Sequence, residues 1–171
     1  DPSSGVYNLT SAGGSDIFIS KLDSSGNFLW AKSMGGTSWD EGYSITTDTA
    51  GNVYTTGYFS GTVDFDPGAG IFNLITSSFA DHIFISKLDA SGNFLWAKLL
   101  DDGSTSLSQG RGLSIAVDLS GSVSVAGTFT GVVDFDPGVS STNLTASDWD
   151  IFILQLDGLG NYVWAKNIGG S

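Results

Sequence analysis

Asp16–Lys32 reads DIFISKLDSSGNFLWAK, and nearly the same words return as HIFISKLDASGNFLWAK at His82–Lys98 and DIFILQLDGLGNYVWAK at Asp150–Lys166. In the first copy a β-branched and aromatic run, Ile17–Leu22, is followed by D-S-S-G-N and a second apolar run, Phe28–Lys32. Gly26 suits the positive-φ position of a short loop, and the Asp23 carboxylate can bond the turn backbone. The stretch therefore predicts a β-hairpin. The D-x-x-G frame recurs at Asp48–Gly51, Asp89–Gly92, Asp118–Gly121 and Asp157–Gly160. Turn chemistry alone calls for these residues, so they are read as hairpin turns and not as ligand loops.

A second hairpin type follows the first. It reads YSITTDTAGNVYTTGYFSGTVDFDPG at Tyr43–Gly68 and LSIAVDLSGSVSVAGTFTGVVDFDPG at Leu113–Gly138. Its strands are expected at Tyr43–Thr47 and Val53–Phe59, with Thr62–Phe65 a short extended piece. Ser33–Glu41 and Leu99–Gly110, rich in Gly, Ser or Asp, are expected to be loops. Asp1–Thr10 matches Asp66–Ile75 and Asp136–Thr145, so the chain opens in the linker between the two hairpin types. The step from Asp1 to Asp66 is 65 residues and from Asp66 to Asp136 is 70. A period of that kind marks a repeat architecture.

Composition agrees. No useful length of the 171-residue chain places apolar residues at helical spacing, and 24 glycines fall mostly in turns. The expected class is all-β. The strands are apolar on both faces, with Ile17 and Ile19 on one side and Phe18 and Leu22 on the other. Such sheets need neighbours above and below. Four-stranded antiparallel blades fanned about an axis supply them, which is a β-propeller; a β-solenoid is the second choice. With no cysteine, disulfides and thiolate metal sites are excluded. Seventeen Asp, one Glu and six basic residues give a net charge of −12. That field disfavours nucleic acid and anionic membrane and suits cations, basic partners or neutral glycans. No apolar run of about 18 residues is present, so membrane insertion is not expected.

The run G-Y-S-I-T-T-D-T-A-G-N-V-Y-T-T-G at Gly42–Gly57, followed by the D-x-F-I-x-K-L-D-x-x-G-N-x-x-W frame, resembles the SBBP β-propeller repeat family of bacterial proteins. The resemblance covers nearly the whole chain; Ser122 and Ser124 depart from Asn52 and Tyr54 of the other copy. It implies an exported or cell-surface bacterial repeat protein, with extracellular localisation. Counted by hairpins, residues 1–36 hold half a blade, 37–102 a full blade and 103–171 another. About two and a half blades cannot close a ring that needs roughly four to eight. A segment of a longer repeat protein is expected, its partners being the other blades and a protein or glycan at the cell surface.

Few residues promise chemistry. Asp64 and Asp66, like Asp134 and Asp136, share one strand face roughly 6–7 Å apart. Each pair is a candidate for Ca²⁺, which takes about six to eight oxygen ligands; the alternative is an Asp-Pro-Gly turn. Trp30, Trp96 and Trp164 hold one repeat position and are read as packing between blades. Trp39 and Trp149 do not repeat, are placed in loops, and are the candidate glycan contacts. His82, the lone histidine, replaces an Asp16-type residue and is expected at a turn or the surface. No Ser–His–Asp set can be assembled around it, and no carboxylate is singled out as a catalytic acid. Asn8 and Asn143 open glycosylation sequons, which the repeat explains as well. The expectation is a non-catalytic module for adhesion or protein interaction. A lectin-like propeller is the alternative, and a polysaccharide hydrolase or lyase ranks third.

Overall fold

A computed structural model describes residues 4–76, 80–101, 103 and 108–170. Asp1–Ser3 of the repeated linker, and Asp102 and residues 104–107 of the second loop, lie outside the described residues. Among those described, every regular element is a strand: β1 (Ile17–Leu22), β2 (Phe28–Gly36), β3 (Glu41–Thr47), β4 (Val53–Phe59), β5 (Thr62–Asp64), β6 (Asn73–Ile75), β7 (His82–Leu88), β8 (Phe94–Leu100), β9 (Gln109–Val117), β10 (Val123–Asp134), β11 (Asn143–Leu156) and β12 (Tyr162–Ile168). They form three antiparallel sheets in the orders β1-β2-β5-β6, β3-β4-β7-β8 and β9-β10-β11-β12.

The hairpins close as their turn residues dictate. At Asp23, Asp48, Asp89, Asp118 and Asp157 one carboxylate oxygen accepts the backbone N–H groups two and four residues on. In four turns the other oxygen accepts the side-chain amide of the following Asn, as Asp23 does from Asn27 at 2.8 Å. The glycine of each turn has φ between 79° and 87°, a region closed to most side chains. These bonds hold the carboxylates below their ordinary range. The main cause is the Asn27 side chain for Asp23, the Ser120 hydroxyl for Asp118, and backbone amides for Asp89 and Asp157. At Asp48 partial burial pushes upward, and bonds from Asn52 and Tyr54 outweigh it.

A carboxylate with a depressed folded pKa binds protons less readily in the folded state than in the unfolded chain. Its contribution is therefore full above the unfolded value of about 3.9 and fades as pH falls through the folded value. Melting midpoints taken stepwise from neutral pH downward are expected to hold until about pH 4 and then decline. A midpoint that fails to fall below about pH 4 would contradict this account of the turns.

Both faces of the sheets are used. Ile17, Ile19 and Met34 of the first sheet meet Val53, Phe59, Phe84 and Leu88 of the second, joined by Val63 and Phe65. On its other side, Tyr54, Ile83, Ile85 and Leu100 of the second sheet meet Val123, Val125, Phe129, Phe152 and Leu154 of the third. Each buried side chain of this size contributes about 1.5–3 kcal/mol. The close backbone approaches between the second and third sheets are made by β9, against β3, β4 and β7. The second and third sheets thus approach most closely along the first strand of the third.

Neighbouring sheets are also latched. Lys21 Nζ and Trp30 Nε1 both donate to the Ala90 carbonyl in the next sheet's turn, at 2.7 and 3.3 Å. Lys87 Nζ and Trp96 Nε1 do the same to the Gly158 carbonyl, at 3.2 and 3.4 Å. The repeated tryptophan is therefore a packing residue with a specific hydrogen bond.

Three sequence expectations change. Ser33–Gly36, expected in a loop, continues β2. A side chain at Gly35 would run into the Asp16 carboxyl and one at Gly36 into the Thr62 carbonyl, so glycine here permits close strands. The Thr62–Phe65 piece begins a small hairpin, β5–β6, which pairs with the end of β2 through Gly35–Asp64 and Gly36–Val63. In the third sheet the same hairpin is continuous with its neighbours, which gives β10 its 12 residues and β11 its 14. Trp149, expected in a loop, therefore lies within β11.

Candidate functional site

In a chain built of copies, the residues that repeat build the frame, and those that break the repeat are free for other work. Several of the breaks gather at one end of the second and third sheets. Glu41 pairs across its ladder with Tyr58, and Arg111 with Thr128, so the lone Glu and the lone Arg occupy one repeat position. Tyr43 stands where the other copy has Leu113. Asp81 and Trp149 likewise share one position, preceding His82 and Asp150.

Four of these residues close around Arg111. Its Nε and Nη2 donate to Asp81 Oδ2 at 2.9 and 2.6 Å. Its guanidinium lies 5.1 Å from the Tyr58 ring centre and 6.0 Å from that of Trp149. Tyr43 packs against Tyr58 with ring centres 5.7 Å apart. Burial, with the negative charges of Glu41 and Asp81, pushes the Tyr58 hydroxyl up to about 12. The bond to Asp81 holds Arg111 firmly protonated. Tyr58 is buried, but Trp149 is 47% and Tyr43 41% exposed. The result is a rigid guanidinium set among half-open aromatic faces. Such a surface can stack on the apolar face of a sugar or an aliphatic side chain, and offers N–H donors beside it.

Trp39 is 65% exposed in the loop between β2 and β3, with its ring over Gly14. Of the two candidate tryptophans, only Trp149 joins the Arg111 group. Arg111, Asp81, Tyr43 and Tyr58 were not singled out from sequence. Their signal was present as repeat-breaking residues in register, and it becomes visible once the copies are aligned strand by strand.

His82 is a correction: it is buried at the start of β7, not at the surface. In the first and third copies an aspartate, Asp16 or Asp150, crowds a glycine, Gly35 or Gly169. In the second copy the position opposite is Asp101, and His82 Nδ1 lies 3.7 Å from its carboxylate. Histidine and aspartate have exchanged for aspartate and glycine as a pair. Asp40 differs from the turn carboxylates. It is fully buried, and burial raises its pKa despite donation from the Gly36 and Ser60 amides. Those bonds tie the β2–β3 loop to the end of β4.

The Asp64–Asp66 and Asp134–Asp136 pairs are built into their own loops. Asp64 Oδ1 accepts the Asp66 and Phe72 amides at 3.0 and 2.8 Å, and Asp66 Oδ1 accepts the Gly68 amide at 2.8 Å. Asp134 and Asp136 repeat the pattern with Thr142 and Gly138. Among the described residues no third acidic or histidine side chain converges on either pair. Ca²⁺ takes about six to eight oxygen ligands, and each pair alone would supply only part of that shell. EDTA is expected to leave the melting midpoint unchanged; a drop reversed by CaCl₂ would restore the calcium reading.

Residues 30–59, from the latch tryptophan to the end of β4, match the family described as "SBBP: Beta-propeller repeat". That segment carries the SBBP repeat. The matched segment includes the Trp30 latch, the Asp48 turn and Tyr58, but neither Arg111 nor Trp149. An uncharacterized WD repeat-containing protein of Acanthamoeba polyphaga mimivirus is 34% identical over 116 residues, 60% of this chain. The chain spans 8% of that relative's length.

Proposed function

We propose that the chain is a non-catalytic β-propeller segment of an exported or cell-surface protein, about two and a half blades of a longer array, which acts by holding a partner. The observation that carries this reading is the division of labour among its residues. Much of what repeats is absorbed in turns, cores and latches, and several residues that break the repeat, Tyr43, Tyr58, Asp81 and Trp149, gather with Arg111 at an exposed end. The similarity to a WD repeat-containing protein supports an interaction role. The net charge of −12 favours a basic or uncharged partner.

The exposed ring faces of Trp149 and Tyr43 beside a fixed guanidinium favour a glycan as the ligand in the second reading. A glycan array separates the two. Saturable binding, reduced at least about tenfold by Trp149→Ala while the circular dichroism spectrum is kept, is the glycan outcome. An array without saturable binding leaves protein adhesion as the function. Hydrolysis or elimination of any polysaccharide, abolished by Asp40→Asn, would overturn the non-catalytic reading.

A further inference from the structure

The two joints inside the chain show what its outward face is made to meet. Ile17 of the first sheet and Ile83 of the second are buried, each against a glycine of the following sheet, Gly42 and Gly110. Met34 and Leu100 are buried in the same joints. The third sheet carries Ile151 and Ile168 at these positions, and they are 50% and 59% exposed. The apolar pattern is kept where its cover is absent.

One residue departs. Gln155 stands where Lys21 and Lys87 reach across to a turn carbonyl. Its Oε1 accepts the Trp164 indole N–H within the same sheet. The latch tryptophan is thus held by its own sheet, and the cation that completes the other two latches is missing.

We propose that the outward face of the third sheet is a joint for one further unit of this repeat on the same polypeptide, and that Gln155 makes it weaker than the two joints inside. The incoming unit places the glycine of its first strand over Ile151 and the carbonyl of its D-x-x-G turn against Trp164, displacing Gln155. The proposal rests on the repeat-array reading above. A second copy of these residues does not qualify as occupant. Its β3 and β9 are already covered by the sheets before them, and its β1–β2 hairpin has no first-strand glycine to offer. A long polypeptide is in keeping with the relative of which this chain spans 8%.

The test compares the chain with one extended after Ser171, the position equivalent to Thr37, by a copy of residues 38–100. Ile151→Asp is made in both. In the parent chain the change is expected to move the melting midpoint by no more than about 2 °C, and in the extended chain to lower it by about 5 °C or more. Equal losses in the two chains, or an appended unit that melts separately while Ile151→Asp stays harmless, would overturn the joint. Gln155→Lys in the extended chain is expected to raise the midpoint by about 2 °C or more; no rise would overturn the weak-joint assignment. The glycan array reads the Arg111 surface, so failure here and failure of the binding proposal are distinguishable.

Discussion

Phe65→Ala is expected to cost about 3–5 kcal/mol of stability, enough to lower the melting midpoint by roughly 6–20 °C in a chain of this length. Phe65 is fully buried, and its ring centre lies 5.3 Å from Phe59 and 5.1 Å from Phe84. Its backbone N–H donates to the Phe72 carbonyl at 2.9 Å, so the ring sits on a closed loop that cannot collapse into the space left behind. Phe135 repeats the arrangement with Phe129 and Phe152 at 5.2 and 4.9 Å, and the same substitution there is expected to cost as much. Leu119→Ala, at an almost fully exposed turn tip, is the control and should be within about 0.5 kcal/mol of the parent. Urea unfolding followed by circular dichroism measures all three. A loss at Phe65 below about 1 kcal/mol would mean that the aromatic trio is not what holds the first two sheets together.

Gly57→Ala is expected to be nearly as damaging, at about 3 kcal/mol or more, for a different reason. Gly57 is mid-strand in β4, opposite Gly42 on one side and Phe84 on the other. A Cβ there would run into the Glu41 carbonyl oxygen, which is backbone and is held by the β3–β4 ladder. Gly127 in β10 meets the same obstacle in the Arg111 carbonyl. Gly26→Ala supplies the contrast. It has φ of 82° and open space around it, so its cost is conformational only, about 1 kcal/mol. Equal losses at Gly57 and Gly26 would contradict the close-approach argument. Because Tyr58 follows Gly57, the first change is also expected to disturb the seat of Arg111.

The frame was legible because it is local chemistry said several times. Asp23 to Gly26 declares a turn wherever it stands, and strands apolar on both faces require sheets on both sides. The ends of strands were less legible. Gly35 and Gly36 looked like loop residues, yet in β2 they admit Asp16 and the β5 backbone. Trp149 read as a loop residue because polar Ser147 and Asp148 precede it, while a long-range ladder carries β11 through them. The site was hardest to see. Arg111 has meaning only beside Asp81, 30 residues earlier, and Tyr58, and composition reported it merely as one basic residue in an acidic chain. His82 shows the same limit, since its partner Asp101 replaces a glycine that the eye passes over.

The β5–β6 hairpin has one more consequence. It belongs by descent to the repeat that starts near Glu41, yet it hydrogen-bonds to the strand that ends at Gly36. The stretch that was duplicated and the body that folds are therefore out of step by part of a repeat. A cut in the loop after Gly36 would not release an independent module, because the first sheet keeps two of its strands on the far side of the cut. A body whose following repeat is removed loses the hairpin that would edge its last strand, so a truncated array would fray at its trailing end.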